Sequence, residues 1–174
     1  MLDGMNIFFA PDYSRDNPYQ TSLASALGNA DCRVRFLSHY KRALPLSRGL
    51  STSGERYDLL HLHWPDPYFR APAGSSAAHS CLRALRHPLD LALLIRRHPL
   101  VVTAHNLLPH STSPLSSRNM RITYQAANRV IAHSTAAAMA VCNTFRISDE
   151  KVVVIPHGDL ADSLPTPPDR HTAR

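Results

Sequence analysis

Cysteine is scarce and shows no pairing pattern: Cys32, Cys81 and Cys142 are odd in number, far apart, and lack the short ligand spacings of a zinc cluster. A disulfide framework is excluded on that count, and the reducing cytoplasm is the expected compartment. Long apolar runs are missing too, since no stretch approaches the roughly eighteen uninterrupted apolar residues of a membrane span. The opening MLDGMNIFFAPDYS has a short apolar run and no basic leader, so it does not read as a secretory signal. Glycine is absent where a dinucleotide site would need it: the first apolar run passes into APDYSRDNPY rather than GxGxxG. Neither GxSxG nor a cysteine in a reactive context follows any strand-like segment, and no HExxH occurs. Lysine stands only at positions 41 and 151, so the formal charge of +6 is carried almost wholly by arginine. Arginine forks recognise phosphates and carboxylates, so an anionic partner or an anionic membrane surface fits, beside the plainer reading of a basic solvated surface; no nucleic acid is expected.

What remains is the composition of one globular domain. The chain has 174 residues, 44% of them hydrophobic and 18% charged, which suffices for a single sizeable core. Strand-like runs cover residues 5–10, 32–37, 57–64, 100–106, 129–134 and 151–158. Between the first two lies DNPYQTSLASALGNA, which reads as a helix capped by Asp16 or Asn17, with Pro18 in its first turn and Gly28 at its end. Residues 41–56, rich in Ser, Gly and Pro, read as a loop. Residues 75–97 are helical in pattern and divided in two by Pro88 and Asp90. Helices follow over 116–127 and 135–145. Strands alternating with helices, several of them apolar throughout, imply a doubly wound, Rossmann-like α/β domain over residues 1–159 with a parallel sheet of about six strands. Residues 160–174, with their prolines and no apolar period, read as a linker or tail.

In such a sheet the ligand crevice lies beyond the carboxyl ends of the strands. The expected strand ends carry a set of polar residues: His63 on the third, His105 and Asn106 on the fourth, His133 and Ser134 on the fifth, His157 and Gly158 on the sixth. One histidine at a strand end is ordinarily a packing or capping residue; four in the same place argue for a site. Metal binding is one reading, because His61 and His63 share a face of one strand, although His61 should lie deeper in the sheet. Sugar recognition is another, since imidazoles and amides both donate and accept hydrogen bonds as hydroxyls do.

The segments RDNPYQTSLASAL, YDLLHLHWP, VVTAHNLLPH, ANRVIAHSTAAA and KVVVIPHGD, in that order, resemble the amino-terminal domain of GT-B glycosyltransferases, in particular bacterial mannosyltransferase-like enzymes of exopolysaccharide assembly. The resemblance spans residues 5–159. It implies that His105 faces the donor sugar with Asn106 beside it, and that Ser134 is the small hydroxyl residue at the end of the fifth strand. His157 and Gly158 would form the turn toward a second domain, while His63 lies on the substrate rim. Arg15, Asn17, Tyr19 and Gln20 would meet the acceptor or its phosphate, Asn17 having the alternative of a plain helix cap. It further implies a hexose, with mannose as a candidate, moved from a nucleotide sugar such as GDP-mannose to a lipid-linked or saccharide acceptor. That donor would be held by a separate donor-binding domain or subunit, so no cofactor and no metal is expected on this chain. Two other readings stay open: a binding or regulatory module that keeps the fold without the chemistry, and a metal hydrolase built on the histidine rim. The leucines and arginines of residues 82–97 suit either an anionic membrane surface on the cytoplasmic side or a helix pair packed on the sheet with solvated arginines.

Overall fold

The computed structural model describes residues 4–38, 43–106 and 113–158. Six strands form one wholly parallel sheet in the order β2-β1-β3-β4-β5-β6. They are β1 (Asn6–Ala10), β2 (Arg33–Phe36), β3 (Leu59–Leu62), β4 (Leu100–Thr103), β5 (Arg129–Ala132) and β6 (Val152–Val154). The helices are α1 (Pro18–Gly28), α2 (Pro45–Thr52), α3 (Asp66–Phe69), α4 (Ala77–Ile95), α5 (Pro114–Ala126) and α6 (Thr135–Phe145), with a 3-10 turn at Asp149–Lys151. The expected Rossmann-like domain is therefore present. Strand order reverses between β1 and β3, which places the switch point of the sheet at their carboxyl ends.

The two faces are covered unequally. Leu60, Leu62, Leu100, Val102 and Val130 point into the main core, where they meet buried residues of α2 through α6 such as Leu46, Tyr68, Leu91, Tyr124 and Phe145. The opposite face carries Ile7 and Phe9, packed against Leu23, Ala24 and Leu27 of α1. Side chains alternate across a strand. Leu60 and Leu62 of LLHL thus enter the main core while Leu59 and His61 turn to the α1 face, His61 beside Phe9 with ring centroids 5.1 Å apart.

Two local expectations are corrected, and one short element is added. The loop expected over 41–56 contains α2, entered from Leu44 at φ 53° with no cap from its own side chain. The cap comes from far away in sequence: Asp90, fully buried on α4, accepts from the backbone N–H groups of Leu46 (2.8 Å) and Ser47 (2.9 Å) and from the Ser47 hydroxyl (2.6 Å). A carboxylate there also meets the positive end of the helix dipole. Nor does Pro88 divide the next helix, for α4 runs unbroken through it. Proline has no N–H to give the carbonyl four residues earlier, and the side-chain amide of Asn119 on α5 donates to that Ala84 carbonyl instead, at 3.0 Å. Finally, Pro65 and Pro67 end the third strand as expected, but the chain then makes α3, a single turn started by Asp66. The expected tail, residues 160–174, lies outside the described residues.

Asp90→Ala should lower unfolding stability by about 3 kcal/mol, because it removes a charged cap and leaves buried N–H groups of α2 unsatisfied. Urea denaturation measures this, and Asp90→Asn should recover part of the loss.

Candidate active-site rim

The polar residues expected at the strand ends do come together. Residues at alternate positions of β3, β4 and β5 share the face on which α1 lies, and extending that alternation past each strand end brings His63, His105 and His133 to one rim. Neighbouring rings along it are 5.8 Å (His63 to His105), 5.2 Å (His105 to His133) and 5.0 Å (His133 to His157) apart, centroid to centroid. Tyr19, in the first turn of α1, is the hub. Its ring lies 5.7, 4.8, 5.8 and 4.8 Å from those of His63, His105, His133 and His157. Asn17 caps α1, its Oδ1 accepting from the Tyr19 N–H at 3.0 Å, and so fixes where that hub begins. Beneath the rim, Thr103 binds His61 Nε2 through its hydroxyl at 2.7 Å and also hydrogen-bonds the Tyr19 phenol.

Gln20 works from below. It is fully buried, its Nε2 donates to the Pro11 carbonyl at 2.9 Å, and its Oε1 accepts from the Tyr13 N–H at 2.8 Å. Both ends of the amide hold the β1–α1 loop, so Gln20 shapes the site from beneath that loop. Arg15 is exposed in the turn before α1. Ser134 caps α6 by accepting from the Ala137 N–H at 3.1 Å. His157 is exposed, its Nδ1 donating to the Gly158 carbonyl at 3.0 Å, and Gly158 is exposed beside it.

A cleft opens next to the rim, about 520 Å³ in volume, with Tyr13, Trp64, Asp66, Arg70, Arg83 and Asn106 in its walls. Trp64 stacks on His105 at 4.4 Å and 15° between planes, and Tyr13 leans on it at 5.4 Å. The indole is thereby held as a flat wall. Tyr13, Trp64 and Arg70 are absent from the residues singled out by sequence, as are the linking roles of Thr103 and His133. Trp64 alone carried a signal, being the only tryptophan and directly following a rim histidine. A larger cavity of about 750 Å³ lies at the amino ends of the strands, lined in part by Tyr57 and His98, and takes no part in this rim.

The buried part of the rim, His61, His63 and His105, holds its imidazoles neutral. Burial, and then the charge of His105, pushes His61 down to about 3; burial, and then His133 and His157, pushes His105 down to about 3 as well. His63 is also shifted down, by burial first and by His61, His105 and His133 after it. Both ring nitrogens of His63 and the Nε2 atoms of His105 and His133 are buried without a hydrogen-bond partner among the described residues. Each such atom costs about 1–3 kcal/mol where nothing completes it, a cost typical of functional sites. Among the described residues no group of three or more His, Cys, Asp or Glu is arranged to hold a metal ion. The imidazoles meet ring against ring, as in the 4.1 Å contact of His61 with His63.

A depressed histidine pKa fixes the direction of acid sensitivity. Above the ordinary histidine value of 6.5 folded and unfolded chains carry the same charge at these positions, whereas below it the unfolded chain takes up protons that His61 and His105 refuse until about 3. Stability should therefore be complete above pH 6.5 and fall as pH drops toward 3. In His105→Gln the slope of the urea midpoint against pH should be shallower over that window.

Comparison with known proteins agrees with this architecture. The profile of Glycosyltransferase Family 4 matches residues 7–159. A GDP-mannose:glycolipid 4-beta-D-mannosyltransferase of Xanthomonas campestris pv. campestris is 38% identical over 96 residues, which is 54% of this chain and 23% of that enzyme; its counterpart in a second strain matches equally. The crystal structure of Anabaena HepE in complex with UDP superposes with a TM-score of 0.50 at 16% identity, covering 89% of this chain and 44% of that one, a likeness of fold. This chain thus spans about a quarter of the mannosyltransferases and under half of the solved structure. With a six-stranded parallel sheet and a family match over residues 7–159, the chain belongs to Glycosyltransferase Family 4.

Proposed function

We propose that this chain is the acceptor-side half of a glycosyltransferase, moving a hexose, mannose in the first instance, from a nucleotide sugar to a lipid-linked or saccharide acceptor. The observation that carries the reading is the row of imidazoles gathered around Tyr19 at the strand ends, with an aromatic-walled cleft beside it. Neutral imidazoles suit hydroxyls, because each ring offers one donor and one acceptor and demands no counter-ion. Flat aromatic faces suit the apolar face of a pyranose ring. The 38% identity with a GDP-mannose:glycolipid mannosyltransferase supports mannose, GDP-mannose and a glycolipid acceptor as the first choices; a role in exopolysaccharide assembly is proposed beside them.

In this reading His105 hydrogen-bonds a hydroxyl of the donor sugar as that sugar enters from the facing domain, and Asn106 bonds the acceptor from the cleft. His63 and Tyr19 form the floor, and Asn17 and Gln20 position the loop that carries Arg15 toward an acceptor phosphate. Ser134, His157 and Gly158 stand on the side where the donor-binding half would approach. That half supplies the nucleotide site, either within a longer polypeptide or as a separate subunit.

The test uses the chain together with its donor-binding half. His105→Ala should slow transfer by about two- to tenfold, the effect of one hydrogen bond to a neutral hydroxyl. Trp64→Ala should raise the acceptor KM more than it lowers kcat, since the indole holds the acceptor rather than the reacting atoms. Acceptor binding with no transfer by the unaltered pair would instead assign the chain to the binding-module reading, and transfer unchanged in both variants would remove His105 and Trp64 from the site.

A further inference from the structure

Half of the large apolar side chains exposed among the described residues belong to α4. Leu82, Leu85, Leu89 and Leu93 are 64%, 53%, 64% and 45% exposed, and their steps of three, four and four residues place them on one line along the helix. Pro88 would end such a line in a helix that broke there. The Asn119 amide keeps α4 continuous, so the stripe runs its whole length. Arg96 continues the line one turn further, while Arg86 and Arg97 flank it. The only acidic residue of α4 is Asp90, buried and bound to the start of α2, so this face presents no negative charge. At its carboxyl end, Leu93 and Arg97 also line the cavity of about 750 Å³ together with Arg48 and Arg56. The two acids of that cavity are already engaged: Glu55 with Arg35, and Asp58 with the Asn6 N–H at 2.8 Å.

We infer that the exposed face of α4 docks on an anionic phospholipid surface, the leucine stripe entering the interface and the arginines at its carboxyl end holding headgroup phosphates. A deformable bilayer fits a stripe that stands proud of the surface, whereas a protein partner would more readily match a groove. Charge complementarity selects the lipid: arginine on the flanks with no acid between them attracts an anionic leaflet and opposes a second copy of this chain. The orientation is consistent with the cleft, because α4 carries Arg83 at the cleft near one end and Arg97 at the basic cavity near the other.

The experiment is co-sedimentation of the full chain with phosphatidylcholine vesicles made with and without phosphatidylglycerol. Binding should favour the anionic vesicles and weaken as salt rises, surface charges being screened beyond about 8 Å at physiological ionic strength. The double variant Leu85→Glu/Leu89→Glu should lose binding with its unfolding temperature unchanged, since both side chains already stand in water. Arg56→Ala and Arg97→Ala should each cost about fivefold in anionic binding and little in neutral binding. Equal binding to both vesicles, binding to neither, or undiminished binding by the leucine variant overturns the inference. So does a dimer in solution that the leucine variant dissociates without any vesicle binding, which would make the stripe a self-interface. Sugar transfer is not read at any point, so this result and the fate of the transferase reading are separable.

Discussion

Every strand of the sheet runs the same way, and that single constraint places the chemistry. A parallel sheet must return to its starting edge between strands, so each strand's carboxyl end opens into a loop on one common rim. Alternation within the strands then sends one residue in two to the α1 face. Imidazoles following β3, β4 and β5 at matching parity cannot avoid meeting there, and α1, beginning just after β1, lays Tyr19 across them. The same parity gives Leu60 and Leu62 of LLHL to the main core, which is why one tetrapeptide serves both packing and site.

The parts of this arrangement that repeat a local rule were legible in the sequence. Five of the six strands are short, mainly apolar runs and β2 (RVRF) alternates polar and apolar, while α1 carries its own cap in Asn17 and ends at Gly28. The rim could be read as well, because a histidine at the end of a strand is a statement about position in the chain. What escaped was everything supplied from a distance. Helix α2 has serine, glycine and proline and no cap of its own; Asp90, more than forty residues on, provides it. Helix α4 contains a proline, and the bond that proline withholds is replaced by Asn119 from a different helix.

The same distinction runs through the site. Which residues reach the rim follows from strand register, but how they touch follows from side chains that local pattern does not connect. Trp64 is flat against His105 because two loops, after β3 and after β4, end side by side. Thr103 looks like one more β-branched strand residue until its hydroxyl is seen between His61 and Tyr19. Gln20 was expected to face a ligand, and instead both ends of its amide are taken by the loop above it.

The replacement of Pro88's missing bond by Asn119 makes the straightness of α4 a tertiary property. A free segment of this composition would tend to part at the proline, with its leucines on two short pieces pointing in different directions. Only when α5 has docked does the amide reach the Ala84 carbonyl and bring Leu82, Leu85, Leu89 and Leu93 into register. The continuous leucine stripe is therefore a product of helix packing: it exists where α5 lies against α4 and not in α4 by itself.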